Sequence, residues 1–596
     1  MKAALARIFV FSALAWPGGT LACLLAGLAF CTALGAGFGS GFTAVLGGGL
    51  GLLAALLMVL AAGALLLLLG LILAHLPWKL SIGALGSFAA VALLLRWAGA
   101  PGALALGVPL ALLGTAAGLG GSLSALVRGW GAGLSHRLTA AGVLLASLLL
   151  ACMLALPFFL GGEPFPRPAM TAAEAAPDAA KPGLWKTATL TYGPGQGLSA
   201  PSEDLSRFLP GVRGLTGLWD RWSWGYGPRA VPLAGRVTWP VGKGPFPLVV
   251  GLPGDGLGHL GELLASRGFI YVAAEGRFLG GPGTGDGGAT AGAWLLLRHL
   301  ERLRTWSQTP GNPFEGRIDP AAVALVGHGA GGAAAIQAAA LSRMARHPSD
   351  GNLILPGGLA VQAVAVLAPT DAGQALGGLE DIHFLQIQGS HDPAARAGVD
   401  PWPRVRLTGN LSRFKAALWL HRADGAAFAQ GGRAPAPPLA WFLDAQGLLA
   451  PADQRAIGRA CVSSFLEAAL HGRMDHAALF RDPRGAVNWL PRCLLFSRYE
   501  ESGFRPLSGS APDLARAATA AGVQRGEGLD AWTRHPSGAT ALAWNQAPGR
   551  SPVYTLVFPP PGDSLSATAR LVFTLSPLAP GEPWPDLTLE LAGADG

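Results

Sequence analysis

Hydrophobic positions divide the chain into two regions of different character. Between Arg7 and Lys79 no charged residue interrupts the apolar run, and further uncharged runs cover residues 80–95, 97–127 and 138–162. A helix needs about 20 predominantly apolar residues to cross a bilayer core. The pattern therefore predicts a multi-pass helical membrane bundle with five spans, near residues 15–36, 48–74, 80–95, 97–127 and 138–162.

Short buried strands alternate with helical segments after residue 186. The strand-like segments include F-P-L-V-V-G-L, F-I-Y-V-A-A, V-A-L-V-G-H, A-V-A-V-L-A-P and F-L-Q-I-Q-G, and helices such as A-W-L-L-L-R-H-L-E-R-L-R lie between them. Strands and helices that alternate at this spacing indicate a mostly parallel sheet with helices on both faces. The sequence therefore predicts an α/β domain over residues 187–510.

Two other segments have a different pattern. Residues 163–186 are rich in Pro and Ala without an apolar period, which predicts a linker. From residue 528 short alternating strands are separated by Pro, Gly and Asp, which predicts a small β-sandwich over residues 528–596. The sequence stops directly after a predicted strand, so an incomplete sandwich is one expectation.

Charge is distributed unevenly between the two regions. The first 162 residues contain no acidic residue and six basic ones, whereas the remainder holds 37 basic and 35 acidic residues (43 minus 6, and 35 minus 0). With the N-terminus inside, five spans place five of the six basic residues on the cytoplasmic side. We therefore expect the bilayer as a partner and a soluble domain on the far side of the membrane, periplasmic or extracellular.

Three other classes of protein are disfavoured. A cleaved signal peptide would not be followed by four more apolar segments. Transport is disfavoured because the predicted spans contain no carboxylate. The basic excess lies in the apolar region, so no nucleic-acid partner is expected.

Cys461 and Cys493 are the two cysteines of the predicted exported part. An oxidising compartment permits them to form a disulfide. Two buried thiols are the alternative, and the spacing does not decide between them.

The segment V-A-L-V-G-H-G-A-G-G, residues 323–332, predicts a buried strand, a tight glycine turn and the start of a helix. Hydrolases place a nucleophilic serine at the tip of such a strand-to-helix turn. Gly329 occupies that position in this chain. A site with the shape of an esterase site but without its nucleophile is therefore predicted.

The chain resembles the α/β-hydrolase fold, and more narrowly a membrane-anchored bacterial branch related to polyester hydrolases and cutinases. The segments that carry the resemblance are G-P-F-P-L-V-V, L-A-S-R-G-F, A-W-L-L-L-R-H-L, V-G-H-G-A-G-G, Q-G-S-H-D, R-A-D-G-A-A-F and S-S-F-L-E-A-A-L-H-G. The resemblance runs from about residue 186 to about residue 510, and together with the predicted spans it implies a bacterial inner-membrane protein whose soluble domain lies in the periplasm. Taken together they are specific, although each short glycine motif alone is weak.

The resemblance implies a catalytic triad and an oxyanion loop. The family's turn G-H-S-x-G-G places the nucleophile at Gly329, and its G-S-H-D segment places the acid at Asp392. The family's A-N-H-x-x-F segment is A-D-G-A-A-F here, which places the base at Gly425. The oxyanion loop maps onto Gly254, Asp255 and Ala330. Two of the three triad members are therefore glycines.

Histidines near these segments are candidate pocket residues. His328 precedes the turn, His391 precedes the acid, and His259 follows the oxyanion loop. A metal site built from such residues is disfavoured because their spacing matches no metal motif. We therefore expect no metal and no cofactor.

Two functions remain open from the sequence. One is a degenerate, ancestrally ester-cleaving domain that binds an ester, a lipid, a polymer fragment or a partner. The alternative is an active esterase with a displaced nucleophile and base. The two glycines favour the first function.

Overall fold

The structure is a computed structural model of the chain. It describes residues 88–93, 95, 102–128, 133–155, 174–281, 283–285, 287–348, 350–356, 360–370, 378–392, 399–409, 411–430, 448–503, 523–527, 531–534, 540–543 and 553–557. Two compact units are distinguished, residues 1–502 and residues 503–596.

The helices are α1 (Gly102–Arg128), α2 (Leu134–Ala155), α3 (Gly214–Trp224), α4 (Gly254–Leu257), α5 (Gly261–Ser266), α6 (Gly287–Gln308), α7 (Ala330–Leu341), α8 (Pro451–Leu470) and α9 (Ala478–Arg481). Short 3₁₀ helices cover Gly258–Leu260, Arg277–Gly280, Trp402–Arg404, Ala426–Phe428, Met474–Ala477 and Pro483–Ala486.

The strands of the first unit are β1 (Thr187–Gly193), β2 (Leu198–Ser199), β3 (Ser202–Glu203), β4 (Val231–Pro232), β5 (Gly235–Pro240), β6 (Phe246–Leu252), β7 (Ile270–Ala274), β8 (Ile318–His328), β9 (Arg346–His347), β10 (Asp350–Ile354), β11 (Ala363–Leu367), β12 (Leu379–Glu380), β13 (His383–Gly389), β14 (Val405–Arg406), β15 (Phe414–Leu420) and β16 (Leu495–Glu501).

A large, mostly parallel sheet forms the centre of the first unit. Its strand order is β16-β15-β13-β11-β8-β6-β7-β5-β1-β2. The six strands from β15 to β7 run parallel to one another. Strands β16 and β5 are antiparallel to their neighbours in that core, and β1 is antiparallel to β5. The antiparallel strands therefore lie toward the edges.

Alternate side chains of the central strands enter two separate hydrophobic cores. Leu248, Val250 and Leu252 of β6 belong to one core, and Val249 belongs to the other. Helices α6 and α7 contribute to the first core, and α8 and α9 contribute to the second. Because successive side chains of a strand point to opposite faces, both faces of the sheet are covered by helices.

The predicted membrane bundle requires correction. The predicted spans 15–36 and 48–74 lie outside the described residues, and so does most of the span 80–95. The last two spans correspond to α1 and α2, and across the described residues no helix is long and apolar enough to cross a membrane. A run without charged residues can still contain many glycines, as α1 does, whereas a span requires a helix that is apolar along its length. The predictions of a five-span bundle and of an inner-membrane location are therefore wrong.

The described part of the predicted linker, residues 174–186, contacts the α/β domain. The Ala176 carbonyl accepts a hydrogen bond from Trp489 Nε1 (3.0 Å), and the Gly183 N–H donates to Ser266 Oγ (2.9 Å). These bonds hold two points of the segment against the domain.

The two cysteines, Cys461 and Cys493, are free thiols. Cys461 is buried in α8, and Cys493 packs against the same hydrophobic core. Burial raises the pKa of both thiols. The disulfide considered from the sequence is therefore not formed, and the alternative of two thiols applies.

The second unit contains four described strands, β17 (Val523–Glu527), β18 (Ala531–Arg534), β19 (Thr540–Ala543) and β20 (Val553–Val557). Strand β17 pairs with β20, and β18 pairs with β19, both in antiparallel fashion. The last two predicted strands, A-R-L-V-F-T-L-S and L-T-L-E-L, lie outside the described residues. The β-sandwich stays a prediction.

A buried carboxylate anchors the end of α8 to α5. The side chain of Glu467 has no exposed surface, and it accepts hydrogen bonds from Arg267 Nε (2.6 Å), His471 Nδ1 (2.9 Å) and Arg473 Nη1 (3.0 Å). Burial raises the pKa of Glu467, but the hydrogen bond from His471 and the charge of Arg267 outweigh burial, so the pKa lies below its ordinary value. The charged form of Glu467 is therefore stabilised by its three partners.

We expect Arg267→Met to lower the free energy of unfolding by about 3 kcal/mol, because it leaves a buried carboxylate without its best-buried partner. Urea titration of the full chain measures this loss. Arg484→Met is the matched control: the ion pair of Arg484 with Asp482 is more exposed, and its loss is expected to cost less than about 1 kcal/mol. Equal losses in the two variants would contradict the prediction.

Candidate functional site

The chain reverses its direction across the sheet between β6 and β8. From β6 it passes to β7 on one side, whereas β8 lies on the other side of β6 and is followed by β11, β13 and β15. In open α/β sheets, ligands bind outside the carboxyl ends of the strands at such a switch point. We call the space outside the carboxyl ends of β6 and β8, bordered by the loops that follow β6, β8, β11, β13 and β15, the switch-point crevice.

Gly329 forms a sharp turn between β8 and α7. Its φ is +56° and its ψ is −124°, a conformation that favours glycine. The Gly329 N–H donates to the Leu367 carbonyl (3.0 Å), and the Gly329 carbonyl accepts from the Thr370 N–H (3.2 Å). A Cβ atom added at Gly329 would have no atom within 4 Å. The turn is fixed by its neighbours, and the space above it is open.

The start of α7 packs directly against the end of β6. A Cβ atom added at Gly331 would lie 2.1 Å from the Leu252 carbonyl oxygen, so only glycine fits this contact. The contact places Ala330, the first residue of α7, near Gly254 and Asp255, the first two residues of the short helix α4. The structure therefore brings the predicted oxyanion-loop residues to one side of the crevice.

Asp392, Gly425 and His328 also come together. Asp392 follows β13 and is buried, and Gly425 lies in the loop after β15. A Cβ atom added at Gly425 would lie 2.9 Å from Asp392 Oδ1. His328 Nε2 donates a hydrogen bond to the Gly425 carbonyl (2.8 Å). The positions for the acid and the base are therefore adjacent, and Asp392 borders the space that a side chain at position 425 needs.

His328 is held in its neutral form. Burial lowers its pKa, and the hydrogen bond to Gly425 and the charge of Asp255 only partly oppose this effect. A neutral imidazole that donates from Nε2 keeps its lone pair on Nδ1. His328 therefore acts as a hydrogen-bond donor to the loop that holds the base position.

His259 lies just after the oxyanion loop. Its Nδ1 donates to the Gly256 carbonyl (3.2 Å). Burial lowers its pKa to about 4; the hydrogen bond to Gly256 raises it, and the charges of Arg459 and Arg455 lower it further. His259 is therefore a neutral residue beside two cationic ones.

His391 lies at the far side of the crevice, between β13 and β15. Its Nδ1 is 2.9 Å from Ser390 Oγ, and that hydroxyl oxygen also accepts a hydrogen bond from the Arg422 N–H (2.8 Å). His421 directly follows β15, and its N–H donates to the Leu494 carbonyl (3.0 Å). Neighbouring strands are separated by about 4.8 Å, and β13 lies two strands from β8, so Ser390 is at least about 10 Å from Gly329.

Two residues that the sequence analysis missed hold the loop at the base position. Gln454 of α8 accepts a hydrogen bond from the Asp424 N–H (3.1 Å) and donates one to the Asp424 carbonyl. Asp424 Oδ1 accepts from the Ala426 N–H (2.8 Å). The D-G-A spacing is a turn signal that sequence reasoning could have used for Asp424. Gln454 gives no such signal because its partner lies 30 residues away.

No metal site is present in the part of the chain that the structure describes, since no group of three or more His, Cys, Asp or Glu side chains is arranged to hold an ion. The chain matches no protein-family model, and no curated protein matches it significantly. A proposal for its function therefore depends on the geometry of the switch-point crevice.

Proposed function

We propose that residues 187–510 form an α/β-hydrolase-like domain that has lost hydrolytic activity and binds a ligand in the switch-point crevice. The ligand is a carboxylic ester, a lipid or a polymer fragment, the class that the resemblance implies. One observation carries the proposal: Gly329 keeps the positive-φ strand-to-helix turn, with open space where a serine side chain would project. The link from this turn to a hydrolase is an analogy at the level of the fold.

The loss of activity follows from the chemistry that the family uses. A serine must attack the carbonyl, and a histidine must remove its proton. Glycines at positions 329 and 425 supply neither group, and Asp392 has no histidine at position 425 to orient. In a protease without its triad, the oxyanion hole and binding alone still give a rate roughly 10³ to 10⁴ times that of the reaction in water. Such a rate is too slow for a metabolic enzyme.

Ligand binding is supported by the groups that remain. In hydrolases of this fold the N–H of the residue after the nucleophile and an N–H of the loop after an earlier strand hold the substrate oxygen. Ala330 and the loop of Gly254 provide the corresponding amides here. Removal of the serine side chain enlarges the space beside them, which favours a carbonyl or carboxylate ligand.

A second candidate, an active esterase with a displaced nucleophile, is favoured by the contact between Ser390 Oγ and His391 Nδ1 (2.9 Å). In that reaction Ser390 Oγ would attack the ester carbonyl while His391 Nδ1 takes the hydroxyl proton and then protonates the leaving alcohol. We rank it second because Ser390 follows β13, two strands away from the β8 turn that carries the Ala330 amide. Its oxygen also accepts the Arg422 N–H, which reduces its nucleophilic character.

We expect the full chain to hydrolyse p-nitrophenyl acetate no faster than the residual rate that an oxyanion hole and binding alone leave, and Ser390→Ala to leave that rate unchanged, because the hydroxyl is not positioned for attack. The release of p-nitrophenolate measures both rates. Turnover well above that residual rate that disappears in Ser390→Ala would replace the first candidate by the second.

Binding is tested separately with p-nitrophenyl butyrate, which a silent protein leaves intact, by saturation-transfer NMR on the full chain. Gly329→Leu should weaken binding because its side chain fills the open space. Gly329→Ala carries the same backbone strain with little added volume, so it is the matched control. Absence of any saturation transfer, or equal binding by the two variants, would refute the proposed crevice.

A further inference from the structure

Arg455 and Arg459 lie one helical turn apart on α8, and both are half-buried. Among the described residues, neither guanidinium group forms an ion pair, and Arg459 Nε is buried without a hydrogen-bond partner. Arginine is rarely buried unless it is paired. A buried donor without an acceptor is costly, and it often marks an ion or water that completes the site.

The packing of α8 places these arginines beside the loop of His259. Gly458 of α8 contacts the ring of Phe428, at the end of the 3₁₀ helix Ala426–Phe428. The residues that follow contact the oxyanion loop, because the Gln430 N–H donates to the Gly256 carbonyl (2.7 Å). The face of α8 that carries Gly458 is therefore next to the segment Gly256–His259.

The electrostatic environment of His259 agrees with this placement. Both arginines lower its pKa, which means that their positive charges act on the imidazole ring. The two arginines therefore place positive charge beside the loop of His259.

We propose that Arg455, Arg459 and the loop of His259 form a binding site for an oxyanion, either a phosphate or a carboxylate. Guanidinium groups present N–H donors in a planar fork that matches both anions. Arg459 Nε, which lacks a partner among the described residues, supplies one donor of that fork. This site does not depend on the function proposed above, because it would bind an oxyanion even if the crevice held no ester.

The binding of an anion near His259 should raise the pKa of the imidazole from about 4, because a negative charge stabilises the imidazolium form. The ring signal of His259 in NMR spectra of the full chain, assigned with His259→Gln, measures this change. Inorganic phosphate and acetate are titrated separately. Tighter binding of phosphate assigns the site to phosphate groups, and tighter binding of acetate assigns it to carboxylates.

We expect Arg455→Gln and Arg459→Gln each to weaken anion binding about 10-fold, since each removes a charge-assisted hydrogen bond. The double Lys variant, Arg455→Lys with Arg459→Lys, keeps the charge and should retain part of the binding even if a Gln variant does not fold. Arg304→Gln is the control, because Arg304 is exposed near the far end of α6. Absence of a saturable shift of the His259 signal with both anions, or unchanged affinity in both Gln variants, would overturn the proposal.

Discussion

The double variant Gly329→Ser with Gly425→His is expected to hydrolyse p-nitrophenyl acetate about 10²-fold faster than the native chain or either single variant. A positioned general base typically contributes 10²–10⁴-fold. A serine without a base stays protonated, and a base without a serine has no nucleophile to activate. The gain should therefore appear only when both residues are present.

The expected gain lies at the low end of that range for a structural reason. A Cβ atom at position 425 would lie 3.0 Å from Asp392 Cγ and 3.4 Å from Ala368 Cβ, so the carboxyl group must shift before a histidine fits. The serine meets no such obstacle, because the space at Gly329 is open. Its cost is backbone strain at positive φ, about 1 to 3 kcal/mol. We therefore expect the serine variant to be less stable and the histidine to limit the rate.

The matched control adds Asp392→Asn to the double variant. If Asp392 orients the new histidine, this change should remove most of the gained turnover, as loss of the triad acid does in proteases. A double variant no faster than the two single variants would contradict the prediction. It would mean that the turn at position 329 and the loop at position 425 no longer position an ester carbonyl for attack.

The centre of the sheet could be predicted from the sequence because its strands are buried on both faces. Segments such as F-P-L-V-V-G-L are continuously apolar and short, and strand β6 is buried along its whole length. The glycine turn could also be located, because a strand, a glycine-rich motif and a small-residue helix follow one another without interruption. Periodicity and turn chemistry depend only on residues that are close in the sequence, so both could be identified in this chain without knowledge of the fold.

The contacts between distant segments could not be predicted in the same way. That Asp392 borders the space beside Gly425 depends on how the loops after β13 and β15 pack, and no local pattern encodes this. The role of Gln454 has the same character. The membrane bundle failed for a different reason: absence of charge was taken as evidence of a span, although an uncharged helix can be rich in Gly and contain Pro, as α1 is and does, so absence of charge does not fix how apolar a helix is.

We expect the domain to lose stability steeply on mild acidification, because it buries neutral histidines. Burial lowers the pKa of His299 to about 3, and burial together with the charge of Arg413 lowers that of His383 to about 3. Both fall from an ordinary value of 6.5, so the unfolded chain binds protons at a pH where the folded chain does not. Stability is therefore complete above the unfolded pKa and decreases as the pH falls below it.

The slope for one such histidine approaches about 1.4 kcal/mol per pH unit, so two histidines lower the free energy of unfolding by up to about 4 kcal/mol between about pH 7 and about pH 5. Urea titrations of the full chain across that window measure the loss. The pKa of Glu467 lies below its ordinary value of 4.5, so its carboxylate is protonated, and its contribution to the free energy of unfolding is lost, only at lower pH. The window therefore separates the histidines from this carboxylate.

The contribution of His299 can be isolated through its partner. Tyr192 OH and His299 Nδ1 are 2.6 Å apart, and both side chains are buried. Tyr192→Phe alone leaves a buried nitrogen without a partner and should cost about 1 to 3 kcal/mol at neutral pH. Tyr192→Phe with His299→Leu removes both polar groups, so it should cost less and should remove the share of the acid sensitivity that His299 contributes, about 2 kcal/mol between about pH 7 and about pH 5. A profile that is flat over the window, or unchanged in the double variant, would show that His299 does not titrate as its burial requires.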